Sequence, residues 1–450
     1  MDAAGLLLLV LLLAVLGSLA GLGAGLVPGV HVNNVALLLV ASSPAFLSIV
    51  AVPETEAAIL LAAFLAAAAI SHGTASLLPS VFLGAPDAET ALTVLPGHRL
   101  LARGKGHEAV LIGARGALLG VLFALLAVLP FRMLLGPPVD AYARLRPLIP
   151  LLLLTLLVLL LATEGGTRDR RAARTKRAWA VALVLASGLL GWTVLTPGFL
   201  RGAAIPLPIG GESILLFPLF TGLFGLPTLV LSMRTSGRLP PQDIGPPEPL
   251  PDWRGTRGLL SGVLAGASVS WIPGLGGTNA TIVAQLLAGG EPEAADPEAD
   301  REFLFAASAA GSATTVFTLA ALFVILRARS GVAAAVDTLS NGVAAWSPLP
   351  WMPPILAAIL LAALVSAVLA FVGVTRLARP FAILASRVRY GRLASVVAAV
   401  LVLAVALLTG PLGLLVLGTA ACLGLVPPLV GVRRVHLMGC LLVPLLASAF

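Results

Sequence analysis

Two stretches of this chain set polar residues just after a proline–glycine pair, inside otherwise apolar sequence. The first reads Gly17-x3-Gly21-x6-Pro28-Gly29-x4-Asn34, with His31 and Asn33 inside it. The second reads Gly262-x3-Gly266-x6-Pro273-Gly274-x4-Asn279, with Gly276, Gly277 and Thr278 inside it. The displacement is constant: 262 less 17 and 279 less 34 are both 245. A Pro-Gly pair interrupts a membrane-spanning helix, and exposed backbone at that depth is tolerated only against protein or a water-filled cavity. Asn and Thr suit the cap of the half-helix that follows. Such a helix start presents free N–H groups and the positive end of the helix dipole, which attracts an anion. Two starts entering from opposite faces would build one anion site near the midplane. The expected substrate-binding residues are therefore Pro28, Gly29, His31, Asn33, Asn34, Pro273, Gly274, Gly276, Gly277, Thr278 and Asn279. Asn34 and Asn279 are expected to cap the half-helices, with His31 and Thr278 touching substrate. Close helix packing through small-xxx-small spacing accounts for Gly17/Gly21 and Gly262/Gly266. It does not account for the shared Pro-Gly break and the Asn that follows.

A weaker echo pairs Gly73-Thr74 with Gly311-Ser312, and makes Ser71, His72, Thr74 and Ser312 candidate secondary contacts. For His31 and His72, a helix–helix hydrogen bond and a substrate contact stand as equal readings. Asp87, Glu89, Arg99, His107 and Glu108 read as a solvated loop. Glu291, Glu293, Asp296, Glu298, Asp300 and Glu302 read as a second, acidic one. Enzyme signatures are missing: there is no phosphate loop GxxxxGK[ST], no HExxH, no GxSxG and no Cys/His metal cluster. Cys422 and Cys440 form no CxxC pair. A catalytic role, a metal, a resident cofactor and ATP-driven transport by this chain alone are not expected. Na+ or H+ is the expected coupling ion.

The elements that must carry these residues follow from composition. Of 450 residues, 59% are hydrophobic and 11% charged, where soluble domains carry about 25% charged. The fold class is an all-α polytopic membrane protein, with about 10–12 transmembrane or re-entrant helices in two inverted repeats. The run 57–70 is short for a full crossing and reads as a re-entrant or broken helix. The apolar run after Met1-Asp2-Ala3-Ala4 reads as a retained first span. Pro240, Pro241, Pro246, Pro247, Pro249 and Pro251 mark a linker, which divides the chain into a first repeat half 1–232, a Pro-rich linker 233–257 and a second half 258–450. Arg168, Arg170, Arg171, Arg174, Lys176 and Arg177 in one loop, and Arg376, Arg379, Arg387, Arg389 and Arg392 in another, place those loops and the linker in the cytoplasm. The net charge of +8 follows from the same rule. Nucleic acid is not an expected partner, because aromatics are only 5% of the chain.

Several segments resemble the large, TctA-type membrane subunit of the tripartite tricarboxylate transporters. Gly25-Leu-Val-Pro28-Gly29 is similar to that family's amino-terminal signature. Gly84-Ala-Pro86 through Thr93, Pro96-Gly97-His98-Arg99 and Arg103-Gly104-Lys105-Gly106-His107-Glu108-Ala109 resemble its conserved loop. Pro218-Leu-Phe-Thr-Gly222-Leu-Phe-Gly225 resembles its Gly-Leu-Phe-Ala element, and the second Pro-Gly motif completes the order. Pro96 stands where the family has the Asp of Asp-Gly-Tyr-Pro, and Ala309-Ala310-Gly311-Ser312 stands near the place of its Asn-Asn motif. The resemblance implies a secondary permease for an organic anion, a carboxylate, in the prokaryotic cytoplasmic membrane. It also implies a small membrane subunit and a periplasmic or extracellular binding protein as partners, besides the lipid bilayer. Pro273-Gly274-Leu275-Gly276-Gly277-Thr278 also resembles a motif of polyprenyl-phosphate translocases, so a lipid-carrier translocase is the alternative. A membrane scaffold without transport is the third reading.

Overall fold

The computed structural model describes residues 2–27, 36, 39, 53–83, 93–162, 164, 170–196, 215–233, 240–248, 250–272, 275–288, 297–387 and 390–449. Among these the regular structure is entirely helical. The principal helices are α1 (Ala3–Leu26), α2 (Glu54–Ala75), α3 (Val94–Ala102), α4 (Gly106–Leu135), α5 (Ile149–Ala162), α6 (Arg170–Leu195), α7 (Asp252–Val269), α8 (Gly277–Leu287), α9 (Pro297–Ile325), α10 (Gly331–Leu339), α11 (Pro354–Arg387), α12 (Tyr390–Val430) and α13 (Gly439–Ala449). Eight helical stretches among the described residues are long and apolar enough to cross a membrane, and two shorter apolar helices lie at Phe217–Leu231 and Arg434–Ala447.

Local sequence explains the helix starts. Asp2 caps α1 by accepting a hydrogen bond from the Gly5 N–H at 3.0 Å. Glu54 and Glu56 sit in the first turn of α2. In α9 the first residue, Pro297, is followed by Glu298 and Asp300. The acidic residues in both first turns lie at the positive end of the helix dipole. The expected short run 57–70 proves longer: α2 continues through Ser71-His72-Gly73-Thr74 to Ala75 and, after a turn at Ser76, a second helix Leu77–Leu83 extends it, so the apolar stretch spans 30 residues. The polar residues do not break α2, because their hydroxyls find partners within the packed helices. Thr74 Oγ1 donates to the Ile70 carbonyl at 3.1 Å and Ser76 Oγ to the Gly73 carbonyl at 3.0 Å.

Contacts group the chain into two units, 1–82 with 88–143 and 238–388, and 83–87 with 144–237 and 389–450. Both units draw on both sides of the Pro-rich segment. In the first unit α2 and α9 are the enclosed helices, 83% and 72% buried along their apolar windows, whereas α1 is 22% buried. The Pro-rich segment is held in this unit rather than hanging free. Gln242 accepts from the Gly106 N–H at 2.8 Å and donates to the Leu101 and Pro240 carbonyls, and the Asp243 N–H donates to the Gly104 carbonyl.

The second unit is built from α5, α6, the helical segment 215–233, α12 and α13. A π turn at Thr221–Gly225 interrupts the segment 215–233, and Gly410 kinks α12 with φ 66°. Leu229 packs among Ala394, Val397, Ala398 and Leu401. Gly191 lets α6 approach the Cys440 carbonyl of α13 so closely that no side chain could be added there. Buried Glu164 ties this unit together: its Oε2 accepts from Arg433 Nε at 2.7 Å and is 2.8 Å from His436 Nε2. Burial alone would raise the Glu164 carboxyl, but the His436 and Arg433 hydrogen bonds outweigh it and hold the pKa down at about 2.

Candidate functional site

The two glycine pairs carry the same packing. Gly17 faces the Phe64 backbone and Gly21 faces Ala68, so α1 lies on α2. Gly262 faces Ala306, Ala309 and Ala310, and Gly266 faces Ala310, Ala313 and Thr314, so α7 lies on α9. Phe64 and Ala68 moved by 245 positions are Ala309 and Ala313. The displacement read between the motifs therefore also holds between the helices they pack against. In each pair the contacts advance together, so the two helices run parallel. The pairs themselves run in opposite directions. The side chains of Leu77 and Ser308 both adjoin Gly113 of α4, while Phe82 adjoins Gly106 and Arg301 pairs with Glu108. Along α4 from 106 to 113, the α2 extension thus descends from 82 to 77 while α9 ascends from 301 to 308.

Of the first Pro-Gly motif, Pro28, Gly29, His31, Asn33 and Asn34 lie outside the described residues, as do Pro273 and Gly274 of the second. The rest of the second motif is placed. Gly276, in extended conformation, is the N-cap of α8, and no side chain caps the helix. This corrects the expected capping role of Asn279, which is the third residue of α8. Gly277, Thr278 and Asn279 are buried. Both polar atoms of the Asn279 side chain are shielded from solvent and lack a hydrogen-bond partner among the described residues. Among the described residues a Cβ at Gly276 would meet nothing within 4 Å. Earlier in the chain, Trp271 meets Tyr142 edge-on at 6.2 Å between centroids. Arg329 donates to the Tyr142 hydroxyl at 2.7 Å.

A cavity lies among α2, α4 and α9, lined by Gly73, Leu77, Thr93 and Ala117 and by the α9 residues Ser308, Gly311, Ser312 and Thr315. Gly73 and Gly311, the glycines of the weaker echo, face the same space. Their separation is 238 rather than 245, a difference of seven residues. Seven residues make about two helical turns, which returns to the same helix face. Ser312 lines the cavity as expected for a secondary contact. Ser71 does not; it is engaged with Ser366 of α11 at 2.7 Å. Thr74 is bound to its own helix, and His72 is buried within α2 but does not line this cavity. Ser308 and Thr315 were not singled out by the sequence reading. Their signal is hydroxyls at i, i+4 and i+7 on one helix face (Ser308, Ser312, Thr315).

One end of this unit carries a charged network where solvated loops were expected. Arg99 of α3 makes a forked contact with Asp300, which is fully buried, and Arg103 lies 3.8 Å from the same carboxylate. Glu248 of the Pro-rich segment meets Lys105 and Arg301, both at 2.6 Å, and these hydrogen bonds hold its carboxyl below the usual carboxylate range. Arg257 holds Glu302 at 2.6 Å, and Arg301 lies 2.8 Å from Glu108. The solvated reading of Arg99, His107, Glu108, Asp300 and Glu302 is therefore corrected: helix packing brings opposite charges together, and His107, Glu108, Asp300 and Glu302 are buried. Asp87 and Glu89 lie outside the described residues.

Residues 11–439 match the family described as Tripartite tricarboxylate transporter TctA family. An uncharacterized protein of Methanocaldococcus jannaschii is 28% identical over 339 residues, which is 74% of each chain. No solved structure matches.

Proposed function

From the premise that this chain belongs to the tripartite tricarboxylate transporter TctA family, a family of membrane transporter components, we propose that it is the permease for an organic anion, a carboxylate. The substrate is held at the start of α8, beside Asn279. The observation that carries this reading is a buried amide with no partner among the described residues, set in the first turn of a helix whose N-cap Gly276 has no described atom within 4 Å of an added Cβ. A buried amide left unbonded costs about 1–3 kcal/mol, and a ligand that hydrogen-bonds it recovers that cost. The Asn279 N–H₂ group donates to a carboxylate oxygen. The free backbone N–H groups of the first turn add donors, and the dipole favours negative charge. Gly276 adds no side chain of its own to the approach.

The two halves act as inverted repeats in this reading. The shared 245-residue register and the opposed directions of the two glycine-packed pairs support it. Alternating access would then be movement of one repeat against the other around a central site. Na+ or H+ drives uptake, and a small membrane subunit and a binding protein assist.

Uptake of labelled citrate into cells or proteoliposomes, with the partner subunits supplied, tests the proposal. Asn279→Ala is expected to lower uptake at least about tenfold, the loss of one good charge-assisted hydrogen bond, while the purified protein stays monodisperse. Full uptake by this variant would refute the site. Citrate transport absent from the wild type, with polyprenyl phosphate appearing on the opposite leaflet, would favour lipid translocation instead.

A further inference from the structure

The cavity between Gly73 of α2 and Gly311 of α9 differs in chemistry from the start of α8. No charged side chain lines it among the described residues, and its clear space has room for about one water molecule. An organic carboxylate is too large for it. Most of its walls are also the interiors of helices; Thr93, the N-cap of α3, is the exception. Ser308 is the twelfth residue of α9, and Ala117 the twelfth of α4. In a helix interior each N–H is already spent on a carbonyl one turn back, whereas each carbonyl oxygen keeps a second lone pair. The spare capacity of such a wall is for accepting, not donating.

The hydroxyls fit the same pattern. Thr315 Oγ1 donates to the Gly311 carbonyl at 3.2 Å, which leaves its lone pairs for the cavity. Ser308 is nine-tenths buried, and its Oγ has no hydrogen-bond partner among the described residues. Ser312, one turn further on, presents a second hydroxyl to the same space. Among the described residues a Cβ on Gly311 would meet nothing within 4 Å, so the wall is open at its middle.

We propose that this cavity is a binding site for one dehydrated monovalent cation of sodium size, with Ser308 and Ser312 as its side-chain ligands. A divalent ion is disfavoured, because Ca²⁺ and Mg²⁺ sites rely on carboxylates and none lines this one among the described residues. An anion is disfavoured because the walls offer few free donors. Binding of the cation stands on the cavity alone. Only its coupling to uptake rests on the carboxylate-permease reading.

The test is equilibrium binding of radioactive sodium to the purified full-length protein, with no carboxylate present and choline holding the ionic strength. Saturable binding is expected. Ser308→Ala and Ser312→Ala should each raise the half-saturating concentration about tenfold, the worth of one good ligand. Gly311→Val should fill the space and abolish binding. Should Gly311→Val fail to give folded protein, Gly311→Ala takes its place and should weaken binding. Ser366→Ala, which removes a hydroxyl between α2 and α11, should leave it unchanged. Absence of saturable binding in the wild type would mean that the cavity holds water only, and would overturn the proposal. Undiminished binding in the folded Gly311 and Ser308 variants would place the ion elsewhere and overturn it equally. Because no substrate is present, loss of citrate uptake in Asn279→Ala neither supports nor weakens this result.

Discussion

The α1–α2 pair and the α7–α9 pair share one packing scheme and diverge in everything built upon it. Glycines 245 residues apart let both pairs bring backbones into contact. The first pair comes closer: a Cβ on Gly21 would stand 2.2 Å from the Ala68 carbonyl, against 2.9 Å from Ala313 and Thr314 for one on Gly266. The second carries the polar chemistry. Ser308, Ser312 and Thr315 of α9 correspond to Ala63, Ala67 and Ile70 of α2, and Asp300, Arg301 and Glu302 correspond to Thr55, Glu56 and Ala57. The glycine packing thus stands in both pairs, while the hydroxyls and most of the buried charge stand in one. Backbone contact through glycine tolerates little change on either side of it. The other faces of the same helices are free to diverge.

The comparison is broken most severely at the contact itself. Gly21→Leu and Gly266→Leu should both prevent folding, read as loss of the monodisperse peak. Gly21→Ala should be more damaging than Gly266→Ala, by about 1–3 kcal/mol of overpacking in a thermal or denaturant assay. Equal effects would refute the closer approach of the first pair. Next come the charges. Asp300→Asn removes the partner of Arg99 and should cost about 3–5 kcal/mol, as when one member of a buried pair is lost. The corresponding Thr55→Ala, at an exposed position, should change stability by under about 0.5 kcal/mol.

The second unit supplies a control of similar size. Glu164→Gln should cost about 3–5 kcal/mol, with an effect that depends on pH. The Glu164 carboxyl is held at about 2, below its ordinary 4.5. Its stabilisation is therefore complete above about pH 4.5 and fades as the pH falls towards 2. Wild type and Glu164→Gln should converge in stability across that window; a difference independent of pH would show that the ion pair is not its source. The smallest effect sharpens the comparison. Ser308→Ala should leave apo-protein stability unchanged or raise it by up to about 1 kcal/mol, because it removes an unbonded buried hydroxyl. Ala63→Ser should lower it by about 1–3 kcal/mol by adding one. A measurement by thermal unfolding without sodium decides between them.

Composition and spacing determine much of this protein by themselves. Scarce charge and long apolar runs specify a helical membrane protein, since a helix satisfies its own backbone in lipid. Helical periodicity marks the glycine faces, and a Pro-Gly pair marks where a helix must stop. These are local properties, legible one segment at a time. The geometry of the proposed site was legible only in part: repetition drew attention to Asn279 and Ser312, but Gly276 rather than Asn279 caps α8. What only the tertiary structure decided is partnership. Arg99 meets Asp300 across 201 residues and Glu164 meets His436 across 272. Arg99 and Asp300 each read as solvated alone, because nothing local announces the opposite charge that will cover them. Ser308 opposite Gly73 is the same case. Periodicity says which residues share a face, while the packing of whole helices decides what that face meets.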